Sequence, residues 1–92
     1  TNSAPIGRKQ VKSYCIAQIS TPEEKLQEFI DYACGVIDCS AIQPGGSCYY
    51  PIIIISHADY ALNQIYRYKG SCDLSIAMII NIDPSYGSCK YS

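Results

Sequence analysis

Residues 34–48 read Cys34-Gly35-Val36-Ile37-Asp38-Cys39-Ser40-Ala41-Ile42-Gln43-Pro44-Gly45-Gly46-Ser47-Cys48 and hold three of the chain's six cysteines. A Pro-Gly-Gly cluster makes the stretch between Cys39 and Cys48 a turn-rich loop. The other cysteines stand at 15, 72 and 89, so the six together reach across almost the whole chain. At 92 residues the chain is long enough for one domain only, with a modest core that needs staples. Six cysteines allow 15 pairings. A structural zinc site would need two close cysteine or histidine pairs. Only Cys34 and Cys39 are close enough, and His57 is the single histidine. Disulfides are therefore favoured over metal, and no cofactor is expected. Bridged cysteines in turn make this a mature or excised chain of a secreted protein.

Upstream of the cysteine-rich stretch, Thr21-Pro22-Glu23-Glu24 reads as a capping box with proline in the first turn. Leu26, Phe29, Ile30, Ala33 and Ile37 then form one apolar stripe of a first helix. Gly35 is the expected stop in a left-handed conformation, and Cys34, beside the stripe, should face inward. Downstream, Ile52-Ile53-Ile54-Ile55 alone would read as a buried strand. It runs into Ala58, Ala61, Leu62 and Ile65 at helical spacing and ends at Gly70, which predicts a second helix over residues 53–68. Residues 76–82 are a strand candidate, followed by the turn Asp83-Pro84-Ser85-Tyr86-Gly87. Residues 88–91 are short enough to pair back as the second strand of a hairpin. Residues 1–13 are polar and aperiodic and read as a tail or linker, leaving 14–92 as the domain.

The net charge of −1 conceals an asymmetry. Arg8, Lys9 and Lys12 are three of seven cations, so residues 13–92 carry four cations against eight acids. That balance argues against nucleic acid and against an anionic membrane surface. No apolar run is long enough to span a bilayer. Catalysis is also poorly served. His57 sits among helical alanines and reads as a packing or hydrogen-bonding residue near the helix start. Hydrolysis of a glycoside needs two opposed carboxylates. Glu23 and Glu24 are accounted for by capping, Asp59 by the second helix start and Asp83 by its turn. The expectation is no enzyme.

Nine tyrosines against one phenylalanine and no tryptophan point to binding instead. Tyrosine offers a flat apolar face and a polar edge at low entropic cost, which suits the C–H faces and hydroxyl rims of sugars. Tyr60 and Tyr66 lie on the second helix with Asn63 midway. Six residues turn the helix by about 600°, which sets the two rings about 120° apart. They can flank only a groove that other segments complete.

These residues carry a resemblance. Tyr14-Cys15-Ile16-Ala17, Ile30-Asp31-Tyr32-Ala33-Cys34-Gly35 and the stretch from Asp38 to Tyr49 resemble the plant X-8 domain, also called carbohydrate-binding module family 43. So do His57-Ala58-Asp59-Tyr60-Ala61-Leu62-Asn63, Tyr66, Ser71-Cys72-Asp73 and Asp83-Pro84-Ser85-Tyr86-Gly87-Ser88-Cys89. The likeness covers residues 14–91 and includes all six cysteines in order. The family occurs in plasmodesmal callose-binding proteins and at the C-terminus of plant β-1,3-glucanases, one of them a pollen allergen. It implies a small disulfide-rich α+β fold: two main helices, a short antiparallel β-hairpin and long coils held by three disulfides. By cysteine order it implies the pairs Cys15–Cys72, Cys34–Cys89 and Cys39–Cys48. It also implies non-catalytic binding of a β-1,3-glucan such as callose or laminarin, in the cell wall or apoplast. A full-length precursor would be anchored at the plasma membrane or placed at plasmodesmata, although the lipid-anchor extension of some members is not found before Ser92. The expected ligand contacts are Tyr60, Asn63, Tyr66 and Tyr86, then Tyr49 and Asp83, in a monomer with no metal.

Four segments depart from the family pattern. Tyr14 stands where the family has Trp, and Tyr50-Pro51-Ile52-Ile53 replaces Asn-Pro-Asn-Thr. Ile55 replaces an Arg, and Leu74-Ser75-Ile76 replaces a Gly-rich stretch. An exposed Ile52–Ile55 patch would favour the alternative of a protein-interaction or structural domain that has lost glucan binding.

Overall fold

Two helices and two short strands carry the chain in the computed structural model, which describes residues 11–92. The elements are β1 (Tyr14–Ala17), α1 (Glu23–Cys34), a 3-10 turn (Ser40–Ile42), α2 (Ile54–Lys69) and β2 (Ala77–Ile80). Most of the expected N-terminal tail lies outside the described residues.

The fold class is as expected: two helices, one antiparallel two-stranded sheet and three disulfides. The strand pairing is not the expected one. β2 pairs with β1, in the register Tyr14↔Ile80 to Ala17↔Ala77. Residues 88–91 contribute only an isolated bridge, Tyr86↔Cys89, within their own turn. The reason lies in α2, which covers one edge of β1. Asn63 Oδ1 accepts the Cys15 N–H at 3.1 Å, and Asp59 Oδ1 accepts the Ala17 N–H at 2.7 Å. Four residues of helix rise about 6 Å and two residues of strand about 6.6 Å. An i, i+4 pair on a helix thus matches an i, i+2 pair of strand donors. With that edge sealed, β1 can only pair on its other side, where β2 lies. Asp59 is therefore a tie to β1 in the second turn of α2 rather than a residue of the helix start.

Helix ends also differ from the sequence expectation. The Thr21 capping box does not form, and Pro22 occupies the N-cap without a side-chain cap. Thr21 Oγ1 donates instead to the Ile76 carbonyl, at 3.0 Å, and binds the entry of α1 to the approach of β2. Gly35 ends α1 in a right-handed conformation, with φ −86°. Gly70 does take the left-handed C-cap, with φ 79° and its N–H on the Tyr66 carbonyl at 2.8 Å.

α2 packs on α1 and on β1 through Ala58, Ala61, Leu62 and Ile65. Its two buried alanines have no bulk beyond Cβ, which lets the neighbouring backbones come close. Leu26, Leu62, Ile76 and Cys15 share one buried cluster. Tyr14, Ile42, Tyr91 and the sulfurs of Cys39, Cys48 and Cys89 share another.

All six cysteines are bridged. Cys15–Cys72 forms as the resemblance implies, but the other four pair as Cys34–Cys39 and Cys48–Cys89. This corrects the implied Cys34–Cys89 and Cys39–Cys48. The chain turns back as soon as α1 ends: Val36 and Ile37 both donate to the Ala33 carbonyl at 2.8 Å. That turn brings the Cys39 Cα to 5.3 Å from the Cys34 Cα. Cys48 is held by its N–H on the Ala41 carbonyl, and its Cα lies 4.7 Å from that of Cys89. Gly46 makes the tight loop possible, since a Cβ there would stand 2.3 Å from the Ser40 carbonyl oxygen.

Candidate functional site

Tyr49, Tyr50 and Tyr86 gather at the N-terminal end of α2. Cys48–Cys89 holds the two segments that carry them side by side. Tyr86 Oη donates to the Tyr50 carbonyl at 2.8 Å and lies 3.3 Å from Ser56 Oγ in the first turn of α2. The Tyr49 ring meets Tyr50 edge-on at 5.0 Å and stacks on His57 at 5.9 Å, with 23° between the planes. His57 Nε2–H donates to the Tyr49 carbonyl at 2.7 Å, which fixes its tautomer and gives it the structural role the sequence indicated. Tyr50 is 69% exposed and Tyr86 38% exposed. Between them lies a shallow open depression floored by the Gly45-Gly46-Ser47 and Gly87-Ser88 loops. Small residues there leave the tyrosine faces unobstructed, and Gly87 has the positive φ of 53° that its turn requires.

The six expected contact residues do not form one groove. Tyr49 and Tyr86 belong to this rim. Tyr60 lies behind it, half-buried, edge-on to Tyr91 at 6.0 Å, and burial pushes its phenol above the usual range. Tyr66 stands at the other end of α2, its hydroxyl 2.6 Å from Ser13 Oγ. The Arg67 guanidinium lies 5.3 Å from the centre of the Tyr66 ring and 5.1 Å from that of Tyr14. Tyr60 and Tyr66 therefore do not flank a common cleft. Asp83 is exposed, and its Oδ1 accepts both the N–H and the hydroxyl of Ser85, at 2.9 and 2.6 Å. Those bonds hold its carboxyl below the usual range, and the Tyr14 hydroxyl adds to the effect.

Asn63 is a correction. It is fully buried, with its amide oxygen on Cys15 and its amide nitrogen donating to the Ser92 carbonyl at 3.0 Å. No ligand hydroxyl can reach it. Helical spacing alone could not tell a buried Asn that seals a strand from an exposed Asn that binds a sugar. Sequence reasoning also passed over Tyr50. Tyr50 is the more exposed of the adjacent Tyr49-Tyr50 pair, a difference that neighbouring identical residues do not reveal in sequence.

Comparison with known proteins adds the family. The X8 domain matches residues 13–77, more than half of the chain. The chain belongs to the X8 domain family. Its relatives include glucan endo-1,3-beta-glucosidase 1 of Arabidopsis thaliana, 46% identical over 87 residues that cover 87% of this X8 domain chain and 17% of the relative. A glucan endo-1,3-beta-glucosidase of Triticum aestivum is 40% identical over 85% of the chain and 18% of its own length. The major pollen allergen Ole e 10 of Olea europaea is 36% identical, with 99% of the chain and 82% of the allergen aligned. The chain thus spans less than a fifth of the two glucosidases and most of the allergen.

Proposed function

We propose that this X8 domain is a non-catalytic module that binds β-1,3-glucan at the Tyr49–Tyr50–Tyr86 rim. The carrying observation is the pair of exposed rings, Tyr50 and Tyr86, over a glycine- and serine-lined depression. Pyranose C–H faces would stack on the rings. The rim hydroxyls of Tyr50, Ser47 and Ser88 would bond sugar hydroxyls. The names of the glucosidase relatives supply the β-1,3-glucan, and the chain's share of their length fits an accessory module. Hydrolysis would need an acid facing a second carboxylate. Asp59 is pushed up to about 6 by burial, but its Oδ1 is engaged with β1. Three disulfides fit a secreted protein of the cell wall or apoplast, acting as a monomer.

A second reading keeps one observation of its own. Ile52 and Ile53 are 60% and 52% exposed beside a groove that also touches Ile30 and Ile42. Such a surface favours a protein-interaction domain. Co-sedimentation with insoluble β-1,3-glucan, with cellulose as control, separates the two. Glucan binding predicts depletion by β-1,3-glucan alone, with no reducing sugar released from laminarin. Failure to pellet with β-1,3-glucan would favour the interaction domain.

A further inference from the structure

The nine tyrosines divide by what already holds them. Tyr14 and Tyr91 are buried, and Tyr49, Tyr60 and Tyr66 are half-buried. Among the exposed ones, Tyr86 commits its hydroxyl to the Tyr50 carbonyl, and the Tyr32 hydroxyl accepts from the Lys69 ammonium at 3.1 Å. That leaves Tyr50 and Tyr68. Their rings are 69% and 68% exposed, and their hydroxyls have no hydrogen bond among the described residues.

Tyr50 stands on the rim, just before the N-terminal end of α2. Tyr68 lies in the last turn of α2, between Arg67 and Lys69. Two residues turn a helix by about 200°, so Tyr68 projects from the side opposite Tyr66, clear of the Ser13 and Arg67 contacts on that ring. From Ile54 to Tyr68 the helix rises about 21 Å, which sets the two open phenols at opposite ends of α2.

An open phenol is the side chain most readily oxidised by one electron when better sinks are missing. Tryptophan and cysteine thiols would take the radical over. This chain has no tryptophan, and all six cysteines are bridged. Its single methionine, Met78, takes up oxygen in a two-electron step to the sulfoxide and does not store a radical. A radical formed here stays on tyrosine, and the two open rings are the ones that another copy can approach.

We infer that Tyr50 and Tyr68 are sites of oxidative coupling that joins copies of this domain covalently, head to tail. The co-substrate is hydrogen peroxide, turned over by a haem peroxidase. It removes one electron and the phenolic proton from each of two tyrosines. The two radicals join through ring carbons beside the oxygen, forming one C–C bond. The hydrogen on each joined carbon then moves to its oxygen and restores the phenol. In total, two tyrosines and one hydrogen peroxide give one dityrosine and two waters.

Charge sets the direction. Arg67 and Lys69 flank Tyr68, so two Tyr68 ends repel each other. The domain as a whole is acidic, with four cations against eight acids over residues 13–92, so its cationic end is drawn to the far end of a neighbour. The Gly45-Gly46-Ser47 and Gly87-Ser88 loops beside Tyr50 carry no charge to oppose it. A contact between unlike ends does not close on itself, so chains grow. The inference stands whether or not the rim binds glucan.

Treatment of the full chain with hydrogen peroxide and a haem peroxidase tests this. The expected result is dityrosine fluorescence and a ladder of dimer, trimer and longer species that survives reduction and detergent. Mass spectrometry of the wild-type ladder should pair the Tyr50 peptide with the Tyr68 peptide, a readout that needs no variant to fold. Tyr50→Phe and Tyr68→Phe, each checked by circular dichroism, should lower the yield of trimers and longer species several-fold. Tyr32→Phe, whose native hydroxyl is held by Lys69, should give the wild-type ladder. No reduction-resistant oligomer, cross-links that map to other pairs of tyrosines, or an unchanged ladder from Tyr50→Phe or Tyr68→Phe would overturn the inference.

Discussion

The two ends of α2 carry tyrosines in opposite states. At the C-terminal end, Tyr66 and Tyr14 are held by Ser13 and Arg67, and Arg67 itself donates to the carbonyls of Ser13 and Ser92. At the N-terminal end, Tyr50 and Tyr86 are joined through one hydroxyl, and their ring faces stay open to solvent. A tyrosine count therefore says little about binding. What separates a structural tyrosine from a binding one is whether its ring face is already covered by the protein. Between the two ends lie Asp59 and Asn63, whose polar atoms serve β1.

If that division holds, the middle of α2 governs stability and the open end governs binding. The largest effect belongs to Asn63→Ala. It strips the Cys15 N–H of its acceptor and the Ser92 carbonyl of one donor in a dry interior. A buried group left unpaired costs about 1–3 kcal/mol, so a loss of roughly 2–3 kcal/mol is expected. For a domain of this size that lowers Tm by roughly 10–20 °C. A thermal melt within a degree or two of wild type would show that Asn63 is not the seal described here.

Asp59→Asn sharpens the same comparison through pH. Burial raises the folded carboxyl from 3.8 to about 6. The folded state then holds this proton more tightly than the unfolded state. The Asp59 contribution therefore favours folding at low pH, declines as pH rises from about 4 to 6, and is flat above that. Asparagine can still accept the Ala17 N–H and carries no charge. The variant should be more stable than wild type at pH 7 and should lose the wild-type slope across pH 4–6. Asp83 acts the other way: its lowered carboxyl stabilises the fold above its unfolded value and ceases to as pH falls through its folded one. Its window lies below that of Asp59. Urea melts at pH 4, 5, 6 and 7 measure the Asp59 slope, further melts below pH 4 reach the Asp83 window, and an unchanged slope across pH 4–6 in the variant would contradict the assignment to Asp59.

The smallest of these effects is at the covered end. Tyr66→Phe loses the bond to Ser13 Oγ and keeps the ring beneath Arg67. About 1 kcal/mol of stability should go, with laminarin affinity unchanged. A marked fall in affinity would place a ligand at that end and erase the distinction.

How far the sequence alone revealed this follows from the range of each interaction. Both helices and the β2 segment were legible, because apolar spacing and Gly70 act within a few residues of one another. The partner of β2 was not, because the decisive contacts join Asn63 to Cys15 and Asp59 to Ala17 across more than forty residues. The cysteine pairing was obscured for a different reason. Cys39, Cys48 and Cys89 sit in one buried cluster with Cys34 against it, and order along the chain cannot tell which sulfurs meet. Among the expected contacts, Tyr49 and Tyr86 were named after the resemblance, whereas Tyr60, Asn63 and Tyr66 were drawn from spacing along one helix. Their side chains meet β1 and the C-terminal segment from Asn63, Tyr91 from Tyr60, and Ser13 from Tyr66.

The central claim is that open tyrosine faces at the N-terminal end of α2 bind β-1,3-glucan. Calorimetric titration of laminarin into wild type and into Tyr50→Ala with Tyr86→Ala tests it most directly. Each stacked ring is worth about 1 kcal/mol by analogy with aromatic pairs, so the double variant should bind at least about tenfold more weakly, or roughly 1.4 kcal/mol. Its circular dichroism and Tm should stay close to wild type. A folded double variant that binds laminarin as wild type does would contradict the account.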